Sequence, residues 1–186
     1  MKVCIRMKSL VFATLVTMVV AAPAFAAPIS DCKIEFKTTG SPVLISIEGK
    51  SEIPCAGQLE VQGEDLSKSK ITLDLSKLDT GIPLRNKHLK ENYLQISQFP
   101  QATLSNLKVS DFAKTLKGQG QKSKFEATLD LHGAQKPISG TYTIKDGVAY
   151  KADFHIEVTD FNIARPDFMG VKVVDKVFLT VQFKHK

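Results

Sequence analysis

Residues 125–132, Phe-Glu-Ala-Thr-Leu-Asp-Leu-His, alternate strictly between apolar and polar side chains. Alternation with a period of two places every apolar side chain on one face of a β-strand. The same pattern recurs in residues 71–75, 152–158 and 177–183. Further strands are expected at residues 34–38, 43–49, 57–62, 102–110 and 137–145. The chain is therefore predicted to be all-β, and most of its strands have one buried and one solvated face.

The number and order of these strands indicate how the sheet buries its apolar face. About eight strands follow one another, and Asp146-Gly147 predicts a tight antiparallel hairpin between two of them. No second layer of helices is predicted that could cover such a sheet. Closing the sheet removes its edges. We therefore expect an antiparallel eight-stranded barrel, with a two-sheet sandwich as the alternative.

Residues 76–92, SKLDTGIPLRNKHLKEN, interrupt the alternation. Pro83 suits the first turn of a helix, and Leu89, Tyr93 and Ile96 recur at helical spacing. A short helical segment is therefore predicted from Pro83 to about Ser97, inserted between two strands.

The tripeptide Asp79-Thr80-Gly81 also occurs at the active sites of aspartic proteases. That chemistry needs two aspartates about 3 Å apart that share one proton. The chain carries one such motif, and a Pro-led helical segment follows it where a protease needs extended chain. In turns, by contrast, Asp binds its own backbone and Gly adopts a positive φ. The motif is therefore interpreted as a turn that leaves a strand.

The first 26 residues have the pattern of a secretory signal peptide. A basic head with Lys2, Arg6 and Lys8 precedes an apolar run from Leu10 to Ala22, and Ala24-Phe25-Ala26 matches a small-x-small cleavage site. This run of thirteen residues, apolar except for Thr14 and Thr17, is too short for a good membrane-spanning helix. We expect cleavage after Ala26, export to the periplasm, and one mature domain over residues 27–186.

Removal of the signal changes the charge of the protein. The formal charge of +6 loses three basic residues, which leaves 22 basic against 19 acidic residues, or +3. This surplus is small and scattered, so no nucleic-acid partner is predicted. The Lys-rich pieces at residues 114–117 and 122–124 are interpreted as solvated turns.

Two cysteines, Cys32 and Cys55, remain in the mature chain. An even pair in an exported protein usually forms a disulfide. There is no Cys-x-x-Cys motif that would indicate redox or metal chemistry. We therefore predict a structural Cys32–Cys55 bridge.

The four histidines, His88, His132, His155 and His185, are scattered. None has the spacing of a metal-binding pair, and neither a Gly-x-Ser-x-Gly motif nor a phosphate-binding glycine loop occurs. The sequence therefore predicts no catalytic residue, no metal site and no cofactor. The apolar side chains suit both a filled barrel and a hollow one that holds a ligand, and the residues alone do not distinguish these.

Two motifs in order resemble a known family. Residues 78–104, LDTGIPLRNKHLKENYLQISQFPQATL, resemble the signature of the YceI-like family, and residues 127–137, ATLDLHGAQKP, resemble its later strand and turn. The likeness covers about residues 58–184. Asn86 stands where members often carry Asp, and Gln135 stands where they often carry Thr. The region before residue 57 also departs from the family pattern.

The resemblance implies a lipocalin-like periplasmic barrel, without enzymatic activity, that binds a long isoprenoid lipid such as a quinone or a polyprenyl phosphate. Burying each CH₂ of such a lipid contributes about 0.8 kcal/mol, so no catalytic group is needed. Arg85, Lys87 and His88 are candidates for binding an anionic head group, unless Arg85 and His88 simply hold the segment on the barrel. The residues expected to line the cavity are Leu73, Leu75, Leu89, Tyr93, Ile96, Leu104, Leu129, Leu131, Phe154, Ile156, Leu179 and Val181. A register error of one residue would exchange every inward side chain on a strand.

Two other functions fit the same sequence. The protein is alternatively a filled barrel that acts through its surface in interaction or stress protection, or a hydrolase or isomerase that modifies a lipid. A carrier of such a lipid is expected to make transient membrane contact. The sequence leaves the oligomeric state open, and a dimer is compatible with it.

Overall fold

The computed structural model describes residues 25–41, 46–52, 54–118, 120–168 and 171–185. The predicted signal peptide, apart from Phe25 and Ala26, and residues 43–45 of the predicted second strand lie outside these ranges. Within them the chain forms eleven strands: β1 (Phe25–Ser41), β2 (Ser46–Glu52), β3 (Cys55–Val61), β4 (Lys70–Asp74), β5 (Gln101–Val109), β6 (Ser123–Leu131), β7 (Ala134–Lys145), β8 (Ala149–Glu157), β9 (Asp167–Phe168), β10 (Val171–Val173) and β11 (Lys176–His185).

These strands close into an eight-stranded antiparallel barrel, as the alternation predicts. The order around the sheet runs β11-β8-β7-β6-β5-β4-β3-β1, and β1 also pairs with β11 to close it. Residues 46–52 and 55–61 both run antiparallel to β1, end to end, with a shift of one residue between Lys33↔Glu52 and Pro28↔Gln58. They therefore act as one interrupted strand, so the barrel wall consists of eight strands.

The long first strand exceeds the prediction of residues 34–38, because it contacts four other strands. It pairs with β3 through residues 25–28, with β2 through residues 33–39, and with β11 and β10 on its other edge. A bulge interrupts the β1–β11 ladder between Ser30 and Lys33, and Asp31 in it has a φ of 53°. A bulge bends a strand and increases its twist. The bulge and the break after β2 thus lie side by side in the wall.

The predicted disulfide joins this interrupted region. Cys32 and Cys55 are bonded, with their Cα atoms 5.9 Å apart. Cys32 lies within the bulge of β1, and Cys55 is the first residue of β3. The bridge therefore connects the two strands where backbone hydrogen bonds between them are missing.

Two short helices lie at opposite ends of the barrel. Helix α1 (Pro83–His88) continues into a π-helical turn over Leu89–Tyr93, so the helical segment ends four residues earlier than the predicted Ser97. It connects β4 to β5 at what we call the α1 end. Helix α2 (Phe112–Lys117) connects β5 to β6 at the opposite α2 end.

Helix α2 corrects the interpretation of residues 114–117 as a solvated turn. Phe112 and Thr115 are fully buried, and the Thr115 hydroxyl lies 2.7 Å from that of Ser123 and donates to the Asp111 carbonyl at 2.9 Å. The lysines on its other face remain exposed. A helix of six residues carries too short a pattern for its buried side to be recognised from sequence.

Candidate ligand-binding interior

A compact knot of hydrogen bonds positions α1 over its end of the barrel. The Oδ1 atom of Asn86 accepts from the Thr80 backbone N–H at 2.7 Å and from the Thr80 hydroxyl at 2.6 Å, and its amide donates to Asp79 at 2.6 Å. The backbone N–H of Gly81 also donates to Asp79, and that of Asp79 donates to the Ser51 hydroxyl at 2.6 Å. The knot ties α1 to the inner face of β2.

This geometry confirms that Asp79-Thr80-Gly81 is a turn. Gly81 has a φ of 76°, which a side chain would strain. The hydrogen bond from the Asn86 amide, followed by that from the Gly81 backbone, holds the pKa of Asp79 below its usual value. The carboxylate is thus an acceptor that organises the turn.

The three head-group candidates occupy different positions. The Arg85 guanidinium donates to the backbone carbonyls of Thr80 and of Glu48, the latter at 3.4 Å, and its Nε is buried without an acceptor among the described residues. Lys87 is exposed, with its Nζ 4.0 Å from the carboxylate of Glu91. His88 is partly buried, and no hydrogen bond of its side chain is found in the described part of the chain. Of the two residues suggested to hold the segment on the barrel, the structure thus gives Arg85 that contact.

The inner face of the helical segment faces the barrel interior. Leu89, Tyr93 and Ile96 are partly buried and pack against the core, and Leu94 is buried. The Leu94 N–H donates to the Leu89 carbonyl at 2.8 Å, an i→i+5 bond that widens the helix at this point. The structure thus packs Leu89 and Tyr93 of this segment, and Ile96 in the turn that follows it, against the core.

Several inward-facing side chains are only partly buried, whereas Leu75, Leu131 and Ile156 near the α1 end are buried. On one wall the partly buried side chains are Phe36, Ala152, Phe154, Val177, Leu179 and Val181, and on the other they are Leu73 and Leu104. The two walls lie across the barrel from each other, since β8, β11 and β1 are neighbours and so are β4 and β5. In a close-packed core such residues would be almost completely buried. These apolar side chains keep part of their surface exposed, and we call them the accessible apolar zone.

The α2 end, by contrast, is filled with large side chains. Phe112, Phe125, Tyr142, Tyr150 and Phe183 are all buried there. The rings of Tyr150 and Phe183 stack with centroids 5.0 Å apart, and burial raises the pKa of Tyr150 to about 12. Large buried side chains thus fill the interior at this end.

A lateral cleft of about 690 Å³ lies over the bulge of β1, closer to the α2 end. The disulfide, Ile29, Tyr150 and Phe183 line it from the barrel side. Ion pairs between Lys33 and Glu52, 2.7 Å apart, and between Asp31 and Lys184, 3.3 Å apart, stand at its edge. The cleft is thus a gap in the wall whose charges pair with one another.

The structure places all the predicted lining residues in the core or against it. Leu75, Leu129, Leu131 and Ile156 are buried, and the other eight are partly buried and pack on the core. The sequence list lacked Phe36, Ala152 and Val177. Their alternation with polar neighbours is visible in the sequence. Ala152 is small, however, and the predicted strand at residues 34–38 is too short to show which of its faces is buried. Whether any of these residues contacts a lipid stays a prediction.

Neither a metal-binding cluster nor a membrane-spanning helix occurs within the described ranges. They contain no cluster of three or more histidine, cysteine, aspartate or glutamate side chains suited to a metal ion. No helix among them has the length and apolar character needed to cross a bilayer.

Solved structures with the same barrel were found by comparison. A polyisoprenoid binding domain from Saccharophagus degradans, implicated in plant cell wall breakdown, has a TM-score of 0.62 at 15% identity and covers 87% of this chain and 97% of that chain. BcnA from Burkholderia cenocepacia has a TM-score of 0.62 at 16% identity, with coverages of 83% and 96%. A YCEI protein from Campylobacter jejuni has a TM-score of 0.57 at 16% identity, with coverages of 77% and 87%. At these identities the likeness establishes the fold.

Sequence comparison identifies the family. A search of curated proteins found no significant match. The family model of the YceI-like domain, however, matches residues 30–185, which is most of the chain and includes the disulfide, the turn at Asp79 and every strand of the barrel wall. The fold, the two sequence motifs and this match agree, and the chain belongs to the YceI-like family.

Proposed function

We propose that the protein is an exported, non-enzymatic carrier that holds one long-chain isoprenoid lipid inside its barrel. The observation that carries this proposal is the partly buried apolar zone between α1 and the barrel centre, lined by Leu73, Leu104, Phe154 and Leu179 among others. Small barrels of about eight strands can hold one small ligand. The polyisoprenoid-binding activity named for the Saccharophagus degradans domain supports the same class of ligand.

The chemistry of the lining favours a lipid tail over a polar ligand. Polar side chains are few on the inner face, and the Thr38 hydroxyl among them already donates to the Lys176 carbonyl at 3.0 Å. A chain of CH₂ and CH₃ groups needs no hydrogen-bond partner and gains about 0.8 kcal/mol for each CH₂ that leaves water. The proposed ligand is therefore of the quinone or polyprenyl phosphate type.

The head group of this lipid is proposed to lie at the α1 end, where the interior is accessible. Arg85 carries a buried Nε without an acceptor, so a phosphate or carbonyl oxygen there would satisfy it. Lys87 and His88 belong to the same helix. In this proposal the Nε atom of Arg85 contacts the head group. A terminal nitrogen of the same guanidinium donates to the Glu48 carbonyl and holds the segment on the barrel.

Export is proposed from the signal-like first 26 residues and is supported by the disulfide, which persists in oxidising compartments. Cleavage after Ala26 would leave Ala27 and Pro28 to pair with β3. Intact mass of protein from the periplasmic fraction should correspond to a chain that begins at Ala27. A full-length chain in the membrane fraction would contradict export by cleavage.

The ligand is tested by native mass spectrometry and organic extraction of the protein purified from the periplasm. We expect an isoprenoid lipid that co-purifies reproducibly and that can be reloaded from detergent into the stripped protein. Failure to recover a lipid, together with failure of the stripped protein to take up added polyprenyl phosphate or quinone, would overturn the proposal. Comparing polyprenyl phosphate with polyprenol in Arg85→Gln and Lys87→Gln tests the head-group assignment, since only the Arg85 variant should bind the phosphate less well.

Filling the accessible zone provides a structural test. Ala152→Phe adds a ring to the inner face of β8, in one of the two partly buried walls. In a hollow barrel, losing room for two or more CH₂ groups should weaken lipid binding at least about tenfold. In a filled barrel the extra ring would instead lower the free energy of unfolding by about 1–3 kcal/mol.

The neighbouring residue supplies the control for this variant. Lys151 is exposed on the outer face of the same strand, and Lys151→Phe adds the same ring outside the barrel. Lipid uptake should remain unchanged in Lys151→Phe. Equal uptake by both variants would argue against an interior site.

A further inference from the structure

Large exposed apolar side chains are unevenly distributed over the described surface. Ile82 and Leu84 are 50% and 59% exposed and flank Pro83 at the start of α1, and Phe178 on β11 is 56% exposed. Their counterparts toward the opposite end are Leu116 on α2 and Val148 in the β7–β8 hairpin, at 40% and 42%. Ile82 and Leu84 lie on one turn, whereas Leu116 and Val148 at the α2 end lie on separate elements.

The strand register places Phe178 on the same side of the barrel. Phe178 pairs with Lys37 of β1, and Lys37 pairs with Glu48 of β2. The guanidinium of Arg85 donates to the Glu48 carbonyl, which brings α1 to this row. Neighbouring strands lie about 4.8 Å apart, so the backbones of Phe178 and Glu48 are about 10 Å apart. We call Ile82, Leu84 and Phe178 the rim patch.

The segment that carries Ile82 and Leu84 has a surplus of positive charge. Residues 76–92 contain the four basic residues Lys77, Arg85, Lys87 and Lys90 and the two acidic residues Asp79 and Glu91, a surplus of two positive charges. Both acidic groups are engaged, Asp79 in the turn and Glu91 with Lys87. An anionic bilayer surface attracts such a segment. The patch thus combines exposed apolar side chains with a complementary charge.

The helical segment also connects the rim patch to the barrel interior. Leu84 lies on its exposed side, while Leu89, Tyr93 and Ile96 face the accessible apolar zone. A lipid tail that passes from a bilayer into the barrel along this segment would stay in contact with apolar groups. A mouth held away from the bilayer would expose the tail to water, at a cost proportional to the area exposed.

We propose that the rim patch is a membrane-docking surface, which inserts Ile82 and Leu84 into the interface of an anionic bilayer and brings the α1 end of the barrel against it. The docking itself follows from the exposed patch and its charge. Its purpose, to load and unload the interior directly from the bilayer, rests on the proposed carrier function.

Vesicle flotation tests the docking surface. The wild-type protein is mixed with vesicles of phosphatidylglycerol and phosphatidylethanolamine or of phosphatidylcholine alone, and its partition into the floating fraction is measured. The rim variant Ile82→Ser/Leu84→Ser should partition into the anionic vesicles at least about tenfold more weakly, because it loses both inserted side chains. The matched variant Leu116→Ser/Val148→Ser, at the other end, should partition like the wild type. Circular dichroism melts confirm that both variants are folded.

A second measurement separates docking from ligand binding. Uptake of a polyprenyl phosphate from detergent micelles should be equal in the wild type and the rim variant, whereas uptake from anionic vesicles should be slower in the rim variant. If the wild type does not float, or if both double variants float equally well, the docking surface is overturned. If flotation behaves as expected but no variant takes up lipid from micelles, the carrier function fails and the docking surface stands.

Discussion

Asn86 is the residue on which the geometry of the α1 end depends. Its one carbonyl oxygen satisfies two donors of Thr80, and its amide donates to Asp79. Thr80 is buried, so its donors have no access to water. A buried donor left without an acceptor costs about 1–3 kcal/mol. The amide thus sets the direction in which the chain leaves β4 and begins α1.

Asn86→Ala should therefore lower the free energy of unfolding by about 1–3 kcal/mol, as measured by urea denaturation. Asn92→Ala is the matched control, because Asn92 is exposed in the same helical segment, and its effect should stay within about 0.5 kcal/mol. Equal stability of the two variants would show that the knot around Asn86 contributes nothing.

At the scale of elements, the two short helices have opposite effects on the barrel interior. The segment at the α1 end presents partly buried side chains to an accessible zone. Helix α2 inserts Phe112 into the other end, where the Tyr142 hydroxyl donates to the Ser110 carbonyl at 2.9 Å and attaches the preceding loop to β7. One end of the barrel is thus closed by packed side chains.

Phe112→Ala should lower the free energy of unfolding by about 3–5 kcal/mol, because it removes a large buried side chain and leaves a cavity. The exposed Leu116 on the same helix provides the comparison, and Leu116→Ala should change stability by less than about 0.5 kcal/mol. Thermal and urea unfolding measure both. A small effect of Phe112→Ala would mean that α2 does not seal this end.

At the scale of the whole molecule, closure depends on the first strand. It meets β3 and β2 on one edge and β11 on the other, so the beginning and the end of the chain lie side by side. The bulge at Asp31 and the break before Cys55 weaken the pairing of β1 with its neighbouring strands. The Cys32–Cys55 bridge connects the strands at this point. The covalent bond also restricts the unfolded chain, because it connects residues 23 positions apart.

Cys32→Ser/Cys55→Ser should lower the free energy of unfolding by about 3 kcal/mol, the value that the chain-entropy model assigns to a loop of this length. Wild-type protein in excess reductant should unfold at the same urea concentration as the double variant, and reductant should not affect the variant further. Two titratable thiols in the purified wild-type protein, or a variant of unchanged stability, would contradict a structural bridge.

The accuracy of the sequence-based predictions varied with the range of the interactions involved. Strands were recognised because alternation is local, and Pro83 marked the start of α1 correctly. The early end of the helical segment at Tyr93 was missed, because the i→i+5 bond there depends on how the segment packs on the barrel. Helix α2 was missed because Phe112 and Thr115 are buried by β6 and β7, which no pattern within six residues reveals.

The candidate site was predictable to a similar extent. The side chains expected to face inward do so, because a strand with one apolar face has only one register that buries it. Phe36, Ala152 and Val177 were not among them. Arg85 was identified as a candidate, but its bond to the Glu48 carbonyl joins residues 37 positions apart, which no local pattern reveals.

The sequence by itself determined the all-β class and the pairing of the two cysteines, because these follow from local periodicity and a count of two. Only the tertiary structure decided that the first strand carries a bulge beside a break, that α2 closes one end, and that several inward-facing side chains stay partly exposed. The physical reason is that closure and packing depend on long-range registers and on the summed volumes of side chains from many strands. Filled and accessible barrels can be built from the same alternating pattern.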